Sequence, residues 1–340
     1  KAIDLLQQDK LELKEDYSLE CYVHRKEFYD QEALLIKIFE SIFLATSTPE
    51  LKEDAMKLLN KLADHFSLLQ VNKALQQKRF QSDTFNIDIK YSDPMFSTNI
   101  LTKALMSALS SYKEDVRESS ILTIKRICER SLLIFGSKLV FKYSLVPDLM
   151  KDAIHLCFDE AFYNKRAGVL GIGAIIDNIE ASEEYLKSLR FELIDGLLFV
   201  LKDTPEEAPV LITNEAENLY NKILERTCSQ ISEDDLSSKG IQNTLTDIVC
   251  ELSNANPVVR KACKNALELI SKNSNMPIVK LMDHSKHFLL SPIFAKPLRA
   301  LPFTMQIGNL DAVTFCLSLP GTFLQFNEEL FRLLQEAIVL

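Results

Sequence analysis

Glycine and tryptophan are scarce in this sequence, which has 8 Gly and no Trp among its 340 residues. A β-sandwich or a doubly wound sheet usually needs more glycine at its turns and more Val and Thr in its strands. Leu, Ile, Lys, Glu and Ala recur instead, and that mixture favours helix. The composition therefore predicts an all-α protein.

Long apolar runs are also lacking, because the longest is LLFVL at 197–201. A membrane span needs roughly 18 or more apolar residues in succession, and the N-terminal residues do not resemble a signal segment. Apolar residues nevertheless make up 47% of the chain, enough to bury a large core. We expect a soluble protein without a membrane partner.

Positive charge is not in excess, since the net charge is −9 at pH 7. An acidic protein repels phosphate overall, so direct binding of nucleic acid is not expected. The cysteines are odd in number and no CxxC motif occurs, which favours buried, reduced thiols in the cytosol or nucleus over disulfides or metal ligands. They are Cys21, Cys128, Cys157, Cys228, Cys250, Cys263 and Cys316.

Helical periodicity occurs in pairs of segments joined by short polar turns. In the second segment of the first pair, apolar residues recur at three- and four-residue steps and predict one buried face: Leu51, Ala55, Leu58, Leu59, Leu62 and Phe66. In the next pair Val116, Ser120, Ile124 and Ile127 share a face. The pairs divide the chain into approximate units at 28–76, 96–136, 146–180, 182–230, 239–274 and 276–340, with a polar linker at 77–95.

A cation follows several of the predicted turns, with small residues two or three positions later. These cations are Lys52, Arg117, Arg166 and Arg260. Arg117 and Arg166 are 49 residues apart, and Arg166 and Arg260 are 94 apart, or two steps of 47 with a degenerate unit near Thr213. This spacing is typical of HEAT and armadillo repeats, and the cation can reach carbonyls or acids of the adjacent turn.

One helical pair cannot bury its apolar faces alone, whereas stacked pairs cover one another. The sequence therefore predicts an α-solenoid of HEAT/armadillo-like hairpins. A further step of 47 residues from Arg260 reaches Ile307, so we expect an inter-helix turn at Gly308-Asn309, with Asn309 as the N-cap of the following helix. The last predicted helix ends on Ile338, Val339 and Leu340, which suggests a longer parent, because a terminal repeat usually presents a polar outer face.

Motifs that could carry chemistry are weak. GVLGIG at 168–173 reverses the dinucleotide fingerprint and lies within a predicted helix, where its glycines would permit close packing. His284 and His287 share a predicted helical face near Asp283, but HExxH is absent and a zinc site needs further ligands. No nucleophile-elbow, P-loop or kinase motif occurs, so we assign no catalytic, cofactor-binding or metal residues. Arg260, Lys261 and Lys264 could receive an acidic partner segment or form an ordinary solvated basic turn.

Several stretches resemble the transformation/transcription domain-associated protein (TRRAP) family, including its fungal members. They are FYNKRAGVLGI (162–172), VVRKACKNALELI (258–270), MQIGNLDAVTFCLSL (305–319) and FNEELFRLLQEA (326–337). The most telling positions are those whose identities helix packing does not require: Gln306, Ile307, Gly308, Thr314, Phe315 and Cys316. The C-terminal half of the chain carries most of the resemblance.

The resemblance implies an internal HEAT segment of a giant pseudokinase of the phosphatidylinositol-3-kinase-related class. Such a segment would be a nuclear, non-enzymatic scaffold whose partners are subunits of histone acetyltransferase coactivator complexes of the SAGA type and transcriptional activators. It would have no cofactor and no small-molecule substrate, and no partner-binding residue can be assigned from the family. Two alternatives remain: a HEAT scaffold of another kind, such as a nuclear transport receptor or phosphatase scaffold, or an enzyme hidden in an all-α fold.

Overall fold

The computed structural model describes residues 19–81, 99–179, 183–205, 208–229, 231–321 and 323–339, and these residues form helices and turns without a β-strand. The α-helices are α1 (Leu19–Ala45), α2 (Pro49–Gln81), α3 (Asn99–Leu109), α4 (Glu114–Tyr143), α5 (Val146–Cys157), α6 (Phe162–Asn178), α7 (Glu183–Ser188), α8 (Arg190–Asp203), α9 (Val210–Cys228), α10 (Lys239–Cys250), α11 (Pro257–Ser274), α12 (Ile278–Met282), α13 (Lys286–Ala295), α14 (Phe303–Ser318) and α15 (Glu328–Ile338). Three 3₁₀ turns lie at Asp235–Ser237, Glu251–Ser253 and Leu298–Ala300. The prediction of an all-α solenoid is confirmed.

The helices stack in two rows. The first row runs α1, α3, α5, α8, α10 and α13, and each member packs against the next. The second row runs α2, α4, α6, α9 and α11, and α14 packs against the 3₁₀ turn Glu251–Ser253. Each hairpin alone would leave an apolar stripe exposed, and the neighbouring hairpins cover it. The buried side chains therefore form one continuous core between the two rows along the described part of the chain.

The buried faces follow the helical period, although part of the face predicted for α2 is exposed. All four residues predicted for the face of α4 are buried, including Ile124 at 0% exposure. In α2, Ala55, Leu59 and Phe66 are buried, whereas Leu51 and Leu58 are largely exposed. The buried stripe on α2 is thus narrower than predicted and centres on Leu59 and Ala63, both at 0% exposure.

Some of the unit boundaries predicted from the sequence do not coincide with the ends of helices. α2 continues to Gln81, so the first residues of the expected linker at 77–95 are helical, and residues 82–98 lie outside the described residues. Gly136, at the end of one expected unit, adopts φ 65° and ψ 171° inside α4, and the helix resumes through Tyr143. A positive φ is accessible to glycine at little steric cost, so this residue marks a break rather than the end of the helix.

The prediction of a turn at Gly308-Asn309 is wrong. Both residues are buried inside α14, and the preceding turn lies at Leu301-Pro302 instead. Proline has no N–H to leave unpaired at a helix start, which favours this earlier boundary. Gly308 is required by packing, because a Cβ built there would lie 2.7 Å from the Asn254 carbonyl oxygen and closer still to that of Ser253.

The glycines of GVLGIG lie within α6, as predicted, and two of them permit close packing. A Cβ on Gly168 would lie 2.6 Å from the Ala153 carbonyl oxygen, and one on Gly171 would lie 3.1 Å from the Ala153 Cβ. A Cβ on Gly173 would meet nothing within 4 Å. Close contact of α5 with α6 therefore accounts for the first two glycines but not the third.

Candidate interaction surface

The turns between first-row and second-row helices lie at one edge of the solenoid and are linked to one another. The Lys113 ammonium donates to Ser47 Oγ at 3.1 Å, which joins the second turn to the first. Asn256 Nδ2 donates to the Leu201 carbonyl at 3.2 Å, and Lys202 lies 2.9 Å from Glu251. Successive turns are therefore neighbours in space, as stacked hairpins require.

Two of the predicted turn cations bind carbonyls of their own turn. Arg117 Nη1 donates to the Ser111 carbonyl at 2.8 Å. Arg260 Nη1 donates to the carbonyls of Asn254 at 2.8 Å and Ala255 at 3.0 Å. These donors satisfy carbonyl groups of the turns themselves, which lie beyond the ends of the preceding helical segments.

Three of the four predicted turn cations also connect adjacent second-row helices. Arg166 holds Glu215 in a two-pronged pair with both N–O distances at 2.9 Å. Lys52 lies 2.6 Å from Asp115, and Arg260 lies 2.8 Å from Asp311. The degenerate unit near Thr213 has no cation at the repeat position, and it supplies the acceptor Glu215 instead.

The basic turn of α11 is largely engaged within the solenoid. Lys264 Nζ lies 2.7 Å from Asp311, the same carboxylate that Arg260 binds. Lys261 is exposed. Two of the three cations considered for an acidic partner therefore already share an internal carboxylate.

Lys165 is a buried cation that joins the third turn to the fourth. Its side chain is 0% exposed, and its ammonium group donates to the Asp203 carbonyl at 3.2 Å and pairs with the carboxylate of the same residue. A buried ammonium is tolerated only with such partners. The sequence periodicity gave no indication of this contact, because a lysine next to Arg166 would ordinarily be expected to lie in solvent.

Asp64 makes the most highly coordinated ion pair between α2 and α4. Arg126 and Arg130 each donate two hydrogen bonds to its carboxylate, at distances between 2.8 and 3.1 Å. Partial burial raises the pKa of Asp64, but the hydrogen bonds from the two arginines outweigh burial and hold the pKa below its ordinary value of 3.8.

Replacing Asp64 with asparagine is expected to lower the free energy of unfolding by about 1–2 kcal/mol at neutral pH, because two charge-assisted pairs are lost. The lowered pKa means that the contribution is complete above the unfolded value and disappears as the pH falls through the folded value. The difference between wild type and variant should therefore shrink below about pH 4 in urea unfolding. Asp54→Asn, at a carboxylate 84% exposed, is the matched control and should change stability little at any pH. A difference that persists in acid would contradict the assignment.

A large exposed apolar side chain recurs beside each of the turns. Tyr112 is 86% exposed and Phe303 is 73% exposed. We name this surface the turn edge and define it by Leu51, Tyr112, Tyr163, Leu211, Val258 and Phe303. Exposed aromatic and aliphatic side chains are typical of protein contacts, whereas nucleic-acid surfaces are dominated by free cations. Sequence reasoning missed this surface, although an apolar residue stands beside every predicted turn.

The residues considered for metal or nucleophilic chemistry do not converge. His284 lies in a turn and His287 in α13, so the single helical face predicted for them is wrong; residues 283–285 break the helix. Among the described residues no group of three or more metal-ligating side chains comes together. Burial raises the pKa of Cys128 and of Cys157 to about 12, so these thiols are protonated at neutral pH.

The thiols whose side chains are described are unpaired, and all but half-buried Cys250 are buried; the side chain of Cys21 lies outside the described residues. None of the helices in the described ranges is long and apolar enough to span a bilayer.

Comparison with known proteins identifies the repeats. Residues 4–340 match the family described as the Tra1 HEAT repeat ring region. The chain is 56% identical over 339 residues to the SAGA complex/NuA4 acetyltransferase complex subunit TRA1 of Saccharomyces cerevisiae, which covers 100% of this chain and 9% of the relative. It is 30% identical over 325 residues to the corresponding Schizosaccharomyces pombe subunit, covering 94% of this chain and 9% of that protein.

The human transformation/transcription domain-associated protein is 21% identical over 297 residues, covering 82% of this chain and 8% of the relative. The chain thus spans less than a tenth of the length of these relatives. The matched region includes both rows of helices and the whole turn edge. The chain belongs to the Tra1 HEAT repeat ring family.

Proposed function

We propose that this chain is a non-catalytic scaffold segment of histone acetyltransferase coactivator complexes of the SAGA type. Its parent would be a giant nuclear pseudokinase of the phosphatidylinositol-3-kinase-related class, and its units would be the six helical modules delimited above. The observation that supports the proposal most is the similarity from one end of the chain to the other to subunits named for such complexes.

The geometry favours a role in binding partner proteins over a catalytic role. The polar side chains that converge, such as Arg166 with Glu215 and Arg260 with Asp311, connect one helix to the next. Such pairs fix the spacing of neighbouring units, and a stack of units presents a long surface. Rigid display of that surface is what a scaffold requires.

The turn edge is the surface that we propose for transcriptional activators. Its exposed aromatic and aliphatic residues would be covered by apolar side chains of an extended activator segment that follows the row of turns. Lys52, Arg166 and Arg260 beside this edge are paired with carboxylates, which leaves fewer free positive charges for phosphate and argues against nucleic acid as the partner.

Affinity purification of the full-length parent tests the scaffold. We expect acetyltransferase subunits to be recovered with it; transport cargo or a phosphatase catalytic subunit would overturn the proposal and favour a different kind of HEAT scaffold. The turn edge is tested in the same protein with Tyr112→Ser, Leu211→Ser and Phe303→Ser combined. This variant should keep the acetyltransferase subunits and bind activators about tenfold more weakly, because central apolar anchors contribute most to such contacts.

The matched control replaces exposed apolar residues away from the turns, Leu122→Ser and Leu133→Ser, which are 52% and 77% exposed. These substitutions remove exposed apolar area outside the turn edge and should leave activator binding unchanged. Equal losses in both variants would show that the turn edge has no special role.

A further inference from the structure

A cavity of about 210 Å³ opens between the end of α7, the end of α9 and the start of α10. Its walls include the cations Lys187 and Arg190, the hydroxyl-bearing Thr227, and the first backbone groups of α10 at Ser238 and Gly240. The cavity lies away from the residues that define the turn edge, and no contact described above uses it.

Arg190 is a buried cation whose Nε has no hydrogen-bond partner among the described residues. The residue is 7% exposed, and its Nε is buried without a hydrogen-bond acceptor. The guanidinium forms no ion pair with any described residue, unlike the arginines that connect the second-row helices. A buried charge normally has a partner, because leaving its N–H groups unpaired is costly. The cavity that Arg190 lines is where an acceptor would fit.

The start of α10 supplies a second set of donors. Helix N-termini leave their first amide groups without intrahelical acceptors, and the Ser238 side chain does not cap this end. The Ser238 amide already donates to the Asp235 carbonyl at 2.9 Å and the Gln242 amide donates to the Ser238 carbonyl at 3.0 Å, so the amides left for a ligand are those of residues 239–241. A Cβ built on Gly240 would meet nothing within 4 Å, so a ligand can approach the backbone there.

Two acidic residues near the cavity do not cancel this positive character. Asp235 is the one carboxylate in the described lining; it accepts hydrogen bonds from the Ser232 hydroxyl at 2.7 Å and the Ser232 amide at 2.8 Å. These bonds, together with the nearby charges of Lys187 and Arg190, lower the pKa of Asp235. Lys187 pairs only loosely with Glu183, at 3.6 Å, and remains 39% exposed. A guanidinium, an ammonium and the positive end of a helix dipole therefore face a single engaged carboxylate.

We propose that this cavity binds a phosphate group. A tetrahedral phosphate has enough acceptor oxygens to engage Arg190, Lys187 and the first amides of α10 together, whereas a carboxylate has two. Helix N-termini with an adjacent arginine or lysine are well suited to such anions. The group would belong either to inorganic phosphate or to a phosphomonoester on a protein side chain.

The test uses the full-length protein and hydrogen–deuterium exchange. Inorganic phosphate, compared with chloride at equal ionic strength, should slow exchange at the amides of residues 239–241. Equilibrium dialysis with labelled phosphate should show at least about tenfold weaker binding for Arg190→Met, which removes the buried charge. Lys261→Met, at an exposed cation outside the cavity, is the matched control and should bind as the wild type does.

Gly240→Asp separates binding from folding. An acidic residue in the first turn favours a helix and the site has room for the side chain, so the fold should be retained. The new carboxylate would occupy and repel the anion position, and phosphate-dependent protection should disappear. Absence of protection in the wild type, or equal protection in Arg190→Met and Gly240→Asp, would overturn the proposal.

The source of the phosphate group is decided by comparing phosphoserine peptides with their unphosphorylated forms. Tighter binding of the phosphopeptide than of inorganic phosphate assigns the cavity to a phosphorylated protein segment. Tighter binding of inorganic phosphate assigns it to the free ion. Binding of neither contradicts a phosphate site.

Discussion

Replacing Gly308 with alanine is expected to destabilise the chain by about 3 kcal/mol, because the added methyl group has no space. The direction of this change in the free energy of unfolding is informative, because replacing glycine with alanine inside a helix ordinarily stabilises a protein by roughly 0.8–1 kcal/mol. The new Cβ would collide with the carbonyl oxygens of Ser253 and Asn254, which are backbone atoms of the neighbouring 3₁₀ turn and cannot rotate away. Removing this steric clash would require α14 to move away from the fifth unit.

Gly173→Ala is the matched control for this prediction. Gly173 also lies inside a helix, but a Cβ built there meets nothing within 4 Å. This variant should be more stable than the wild type by up to about 1 kcal/mol. Both variants can be compared by urea unfolding followed by circular dichroism. If Gly308→Ala is as stable as Gly173→Ala, the close approach of α14 does not exist.

Replacing Ile124 with aspartate is expected to unfold the unit that contains it. Ile124 is 0% exposed and lies among apolar side chains between α2 and α4, so a carboxylate there would be buried without a partner. The expected loss is roughly 4 kcal/mol or more, at the extreme of what single substitutions cause. Thermal unfolding followed by circular dichroism should show a lower midpoint or no cooperative transition.

Leu122→Asp is the control, because Leu122 is on the same helix but 52% exposed. It should change the midpoint little. A similar prediction made from the periodicity of α11 would choose Leu269, but that residue is only partly buried, and Leu267 and Ile270 form the core there. Equal melting of Ile124→Asp and Leu122→Asp would contradict the assigned face of α4.

Periodicity predicted the helices and most of their buried faces because both depend on local sequence. Ile124 and Leu59 are buried for the reason the pattern gives: each recurs at three- and four-residue steps on the side facing a neighbouring helix. The position of Gly308 could not be deduced in this way. Glycine ends helices more often than it permits a close contact within one, and the atoms it accommodates belong to residues 253 and 254.

Only part of the candidate interaction surface could be predicted from the sequence. The turn cations were recognisable, but their acidic partners required knowledge of which helices are adjacent. In retrospect the partners follow the repeat, since Arg166 and Glu215 are 49 residues apart and Arg260 and Asp311 are 51 apart. The cavity at Arg190 gave no signal in the sequence, because a lone arginine at a helix start normally lies in solvent.

The ionic links between second-row helices join the first unit to the second, the third to the fourth, and the fifth to the sixth. Counterions weaken partly exposed charge pairs as the salt concentration rises, whereas apolar contacts between the same helices persist. At 8–37% exposure the side chains of these links are screened less than fully exposed ones, so we expect the spacing of these units to resist moderate salt.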